Sequence, residues 1–269
     1  MDARDDDLIE FEANGAVLPR PTAEGHVEHD GARIWHASFG AASKTIVLLH
    51  GGLGHSGNWA QQIESLLAAG YRVVVIDSRG HGRSTRDDRP YTYELMASDV
   101  VAVLDALAIE RAAFVGWSDG ACIALVLAAR TPARARGVFF FACNMDPSGT
   151  KQIEPSPLLR RCFGRHAMDY AALSATPDGF SALAEAVGQM QRTQPNYSAR
   201  DLAAIRVPVT IVQSERDEFI EREHADYLAR TIPGAELVIL DGVSHFAPLQ
   251  RPQLFNAAVL AFLRRIDGR

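Results

Sequence analysis

Apolar residues in this chain fall into short continuous runs separated by longer stretches where they recur every three or four positions. Residues 45–49, 72–76, 112–115, 137–142, 207–212 and 236–240 have the length and β-branched content of strands buried on both faces. Residues 59–69, 93–107, 119–130, 224–231 and 252–265 carry the helical period. Ahead of them, residues 26–29 and 32–36 flank Asp30-Gly31, a two-residue hairpin signal. A hairpin leading into alternating strands and helices predicts an α/β fold: an eight-stranded, mostly parallel sheet with helices on both faces. Ligands bind such sheets beyond the carboxyl ends of the strands, so the loops that follow strands are where chemistry belongs.

One connection is too long for this scheme. About sixty residues separate position 142 from position 207, and structureless loops of that size are uncommon in compact domains. Within it, residues 157–174 and 179–191 have helical composition and are bounded by Pro147, Pro155, Pro177 and Pro195. The pattern predicts a helical cap, residues 147–196, inserted after the sixth strand and folded over the site. Residues 1–21 lack periodicity and contain Pro19 and Pro21, which reads as a loose leader ahead of a single domain spanning 22–269.

Composition narrows the function classes. The chain has 269 residues, 47% hydrophobic, with a net charge of −6. No lysine or arginine cluster is dense enough to neutralise a run of phosphates, which excludes nucleic acid as the expected partner. No run of 18 apolar residues suggests a membrane span. Residues 1–7 hold four aspartates and one arginine with no apolar segment behind them, so the expected compartment is the cytoplasm. Cys122, Cys143 and Cys162 are odd in number and lack C-x-x-C spacing; they read as small buried residues rather than a disulfide framework or a zinc site. No metal or cofactor is expected, and oligomeric state leaves no trace in the pattern.

The chemistry starts at Gly116-Trp117-Ser118-Asp119-Gly120, between a strand and an apolar helix. The five residues alone are a weak signal, but the strand-to-helix context is specific. A sharp turn there forces the serine into a strained backbone, and flanking glycines let neighbouring segments approach without a Cβ clash. Ser118 Oγ then projects above the sheet at a helix amino terminus, where developing negative charge is favoured. A serine hydroxyl is a poor nucleophile without a base, and the base needs an orienting acid.

His245 follows the last strand on a loop leading to the final helix, the site side of the sheet. An imidazole, with an ordinary pKa of about 6.5, can accept the serine proton near neutrality. Asp217, beyond the strand at 207–212, is the acid that would hold the imidazole tautomer. Glu215, Glu218 and Asp146 are the alternatives. For the oxyanion, His50-Gly51-Gly52-Leu53-Gly54 follows the strand at 45–49. An acyl-transfer transition state needs two backbone N–H donors about 3 Å from the developing charge. The candidates are Gly52, with Leu53 as alternative, and Asp119.

These residues, with Asp77-Ser78-Arg79-Gly80-His81-Gly82-Arg83-Ser84, resemble the α/β-hydrolase superfamily over nearly the whole chain. The Gly-Trp-Ser-Asp-Gly elbow is similar to that of the biphenyl-hydrolase-like group of carboxylesterases, which includes valacyclovir hydrolase. The resemblance implies the α/β-hydrolase fold and hydrolysis of a small-molecule carboxylic ester through an acyl-enzyme on Ser118. It also implies that the Asp119 carboxylate receives the ammonium of α-amino acid esters. Ala121 and Ser214 stand where glycines are frequent in the superfamily. Serine at the nucleophile position sets aside the aspartate-nucleophile dehalogenases and epoxide hydrolases. Lactonase, thioesterase, C–C hydrolase and perhydrolase activities remain open on the same triad, as does a non-catalytic ligand sensor with a hydrolase pocket. Trp117, Leu53, Phe141 and Met145 are candidate substrate contacts beside Asp119, and Phe163, Met168 and Met190 are further candidate lining residues.

Overall fold

A computed structural model describes residues 6–268. The hairpin forms as β1 (Ala23–His29) and β2 (Ala32–Phe39), and β2 pairs antiparallel with β4 (Arg72–Ile76). From there the sheet is parallel through β3 (Thr45–Leu49), β5 (Ala112–Trp117), β6 (Ala135–Phe141), β7 (Val209–Arg216) and β8 (Glu236–Ser244). The spatial order is β1-β2-β4-β3-β5-β6-β7-β8.

Strand alternation divides the core in two. Val47, Leu49, Val74, Phe114, Val138 and Phe140 point to one face, against α3 (Tyr93–Ala106), α4 (Asp119–Arg130) and α8 (Arg222–Thr231). Ile46, Leu48, Val73, Val75, Phe139 and Phe141 point to the other, against α2 (Ala60–Ala68) and α10 (Pro252–Asp267). Both faces are covered, which is why these strands read as continuous apolar runs.

Between β6 and β7 lie α5 (Pro157–Leu173) and α6 (Phe180–Thr193), the two helices expected in the long connection. Ser156 caps α5 by accepting from the Leu159 N–H, and Pro157 occupies its first turn. A short α7 (Ala199–Ala203), capped by Ser198, precedes β7. A four-residue α9 (Ala247–Gln250) separates β8 from α10.

The leader departs from expectation. Residues 1–5 lie outside the described residues, but Asp6–Asn14 forms α1, with Leu8 and Phe11 buried against α5 and α9. Two apolar anchors one turn apart are too few to show as a helical period, yet enough to dock a nine-residue helix. Among the described residues no helix is long and apolar enough to cross a membrane.

Candidate active site

At the carboxyl end of β5 the chain turns into α4 through Ser118, whose backbone takes φ 54° and ψ −125°. Such a conformation strains any residue bearing a Cβ, and is held in place only by its surroundings. The Ser118 N–H bonds to the Phe141 carbonyl, and its own carbonyl accepts from Ala121 and Cys122. A Cβ at Gly116 would lie 2.4 Å from Ala121 Cα, and one at Gly120 would lie 2.1 Å from the Leu49 carbonyl oxygen. Both glycines are therefore steric requirements of the turn, as its spacing predicted.

His245 immediately follows β8. Its Nδ1 lies 3.0 Å from Asp217 Oδ2 and 3.1 Å from Oδ1. Asp217 Oδ1 also accepts the N–H groups of Phe219 and Ile220, both at 2.9 Å, so the carboxylate is held from behind as it faces the imidazole. The ring packs edge-on against Phe219 at 4.6 Å and near Trp117 at 6.0 Å. Other acids have other partners: Glu218 accepts the His245 backbone N–H, Glu215 accepts Gly242 N–H, and Asp146 caps Ser148. Burial pushes the Glu218 carboxyl above its ordinary range. Ser118 and His245 open onto one cavity. No hydrogen bond joins them among the described residues, a looseness common in unliganded sites that tighten around substrate.

The loop after β3 is braced by a buried histidine. His50 Nδ1–H donates to the Gly51 carbonyl while its Nε2 accepts the Ser78 N–H. Burial drives its pKa down to about 4, so it stays neutral and keeps both bonds. Gly54 N–H closes a turn onto the Gly51 carbonyl, and Leu53 at its corner has φ 64°, another strained position beside the site. Gly52, Leu53 and Asp119 all line the cavity. As the first residue of α4, Asp119 has an N–H with no helical partner.

The Asp119 carboxylate faces the cavity with two neutral donors. Tyr93 OH gives 2.8 Å to Oδ1, and Gln191 Nε2 lies 3.0 Å from both oxygens. Burial pushes its pKa up against these hydrogen bonds. Neither partner was visible in the sequence: Tyr93 opens α3 and Gln191 sits near the end of α6, 26 and 72 residues away. The Asp77-to-Ser84 motif is a brace. Asp77 holds the N–H groups of Ser56 and Arg83, and Arg79 makes a bidentate pair with Asp99.

The cavity has a volume of about 870 Å³ including its open mouth. Trp117, Leu53 and Phe163 line it as expected, together with Asn58, Asn144, His166, Val187, Phe219 and Ile220, which the sequence did not single out. Phe141 and Met145 do not line it. Phe141 alternates onto the α10 face of the sheet and packs 5.0 Å from the Phe255 ring; Met145 is buried in the opposite core. Met190 is likewise core, and Met168 is 59% exposed. Among the described residues no lysine or arginine lines the cavity. The three cysteines are free and buried, and among the described residues no group of three His, Cys, Asp or Glu side chains could hold a metal ion.

Serine hydrolase BPHL of Mus musculus is 28% identical, the match covering 93% of this chain and 89% of that protein. The 2-hydroxy-6-oxononadienedioate/2-hydroxy-6-oxononatrienedioate hydrolase 2 of Pseudomonas putida is also 28% identical, over 86% of this chain and 92% of its own. Among solved structures, Est816, described as an N-acyl homoserine lactone degrading enzyme, superposes with a TM-score of 0.70 at 30% identity, covering 88% of this chain and all of that one. The model of the alpha/beta hydrolase family matches residues 46–258, and the chain belongs to that family.

Proposed function

We propose that this protein is a serine hydrolase of carboxylic esters, akin to the biphenyl-hydrolase-like group. The observation that carries the reading is the Asp217–His245 pair at 3.0 Å, opening with the strained Ser118 onto one cavity. Ser118 Oγ attacks the ester carbonyl as its proton passes to His245 Nε2, and Asp217 stabilises the imidazolium through Nδ1–H. The N–H groups of Asp119 and of Gly52, or its neighbour Leu53, receive the oxyanion. His245 then protonates the departing alcohol, and water activated by the same ring hydrolyses the acyl-serine.

The charge of the lining favours neutral or cationic esters over acidic substrates. The Pseudomonas putida relative is named for a dioate, a substrate with two carboxylates. Here such a substrate would meet the buried Asp119 carboxylate with no lysine or arginine among the described residues of the cavity wall to offset the repulsion. For the same reason a second reading, hydrolysis of α-amino acid esters, has specific support. Among the described residues the side-chain donors to Asp119 are neutral, leaving its charge available to a substrate ammonium.

A panel of p-nitrophenyl and amino acid esters, run on wild type, Ser118→Ala and Asp119→Ala, tests both readings. Turnover abolished in a folded Ser118→Ala protein supports the esterase. Absence of turnover on every activated ester sinks it. A larger loss on amino acid esters than on simple esters in Asp119→Ala supports the ammonium reading, and equal losses remove it.

A further inference from the structure

We propose that His166, together with Asn58, forms a specificity subsite for an uncharged oxygen function of the substrate, a hydroxyl or a carbonyl, away from the scissile ester. The proposal rests on the ester reading of the same cavity.

Both residues line the cavity and both are buried, His166 at 3% and Asn58 at 0% exposure. Each carries an unused polar atom. The Asn58 Oδ1 accepts the His55 N–H at 3.0 Å, but among the described residues its Nδ2 has no hydrogen-bond partner, and His166 Nδ1 has none either. The large majority of buried side-chain polar atoms are partnered, so these two orphans, with Trp117 Nε1 a third in the same cavity wall, call for a ligand.

The imidazole is held in place by its neighbours. His166 lies one turn from Phe163 on α5, and the Phe11 ring of α1 packs edge-on against it at 5.8 Å. One turn further on, Asp169 is gripped by Arg165 Nε at 2.8 Å and lies 3.3 Å from His55 Nε2. His55 Nδ1 accepts the Gly57 N–H, which puts the ring proton on Nε2, facing Asp169. This contact ties α5 to the loop after β3, the loop that carries Asn58.

The chemistry presented is neutral. Burial, reinforced by the nearby His55, depresses the His166 pKa to about 3, so the ring offers one donor and one acceptor, and Asn58 adds a donor. A hydroxyl satisfies both kinds of group and a carbonyl satisfies the donors. A carboxylate would lack a cation, because among the described residues no lysine or arginine lines the cavity. Sites built to hydrogen-bond a substrate oxygen reject analogues that lack it by large factors, since their own buried groups are then left unpaired.

The test uses matched p-nitrophenyl esters: pentanoate against 4-oxopentanoate, hexanoate against 5-oxohexanoate, heptanoate against 6-oxoheptanoate, and the corresponding hydroxy acids. A second set varies the alcohol, phenethyl butyrate against 2-(4-hydroxyphenyl)ethyl butyrate. For at least one pair the oxygenated member should have a kcat/KM at least about tenfold higher in wild type. That ratio should fall to near one in His166→Phe and be retained in His166→Gln, which keeps a donor and an acceptor. Met168→Ala, on the exposed side of the same helix, controls for nonspecific effects on α5. No preference in any pair, or a preference that survives His166→Phe, overturns the subsite while leaving the esterase standing. Failure of wild type to hydrolyse any plain ester overturns the ester reading and the subsite with it.

Discussion

Replacing Asp217 by asparagine removes one charge and changes almost no volume, and the surrounding hydrogen bonds dictate the result. Asp217 Oδ1 accepts two backbone N–H groups at 2.9 Å, while Oδ2 faces His245 Nδ1 at 3.0 Å. Asparagine keeps only one oxygen. If that oxygen stays on the two backbone donors, its NH₂ faces His245 and demands an acceptor at Nδ1. The ring proton then sits on Nε2, the atom that must take the proton from Ser118. If the amide flips to keep the useful tautomer, two backbone bonds are lost at about 1 kcal/mol each. The combined 2 kcal/mol sets a floor of about thirty-fold on the loss of rate. Loss of the charge that stabilises the imidazolium adds to it, and the corresponding substitution in the chymotrypsin triad lowers kcat by about 10⁴, or some 5 kcal/mol. The assay is kcat on p-nitrophenyl butyrate for Asp217→Asn, with a melting curve to establish folding. Because the backbone bonds can be kept, Tm should stay within a few degrees of wild type. A folded variant that loses less than thirty-fold would refute the orienting role of Asp217.

Three other substitutions or conditions probe the account. Gly120→Ala places a methyl against the backbone of Leu49 and His50, with contacts of 2.1 to 2.6 Å. It should cost at least about 3 kcal/mol, lowering Tm by about 6 to 12 °C; a wild-type Tm would contradict the close approach of α4 to β3. Ser118→Gly relaxes the positive φ at the elbow and should gain about 1 kcal/mol while abolishing turnover; melting no higher than Ser118→Ala would show that the turn stores no strain. Acidification tests the buried neutral histidines. Burial lowers the folded-state pKa to about 4 for His50 and about 3 for His81 and His166. The unfolded chain therefore binds protons that the fold refuses, and stability is full above about pH 6.5 and falls as pH drops toward the folded values. Between pH 7 and pH 5 each ring removes about 2 kcal/mol. Asp99, Asp119 and Glu218, whose carboxyls burial pushes upward, offset part of this by favouring the fold as they gain protons. Urea unfolding at the two pH values should show a net loss of several kcal/mol, and equal stability would refute neutral burial of these rings.

What the chain reveals by itself follows from the range of the forces involved. The strand runs and the glycine-flanked elbow depend on neighbours in sequence and on burial, so β3, β4 and α4 lie where the apolar pattern puts them. His245 and Asp217 could be picked out because both follow strands at the same edge of a parallel sheet. The cavity wall was much less legible. Phe141 is a large apolar residue near a strand end, and only the alternation of β6 shows that it faces α10. Tyr93, Gln191, His166 and Phe219 reach the site from α3, α6, α5 and the turn after β7. No local pattern distinguishes such a residue from one facing solvent or core. The helix α1 leaves little trace in the sequence because its burial depends on α5, itself part of the long connection between β6 and β7 whose packing is set by tertiary contact.

The central claim is that Ser118 becomes acylated during turnover. Rapid acid quench of the protein with p-nitrophenyl acetate, followed by peptide mass mapping, reads it directly. An acetyl group on Ser118, absent in Ser118→Ala, is the predicted result. Hydrolysis with no acetyl on Ser118, or undiminished hydrolysis by Ser118→Ala, would contradict it.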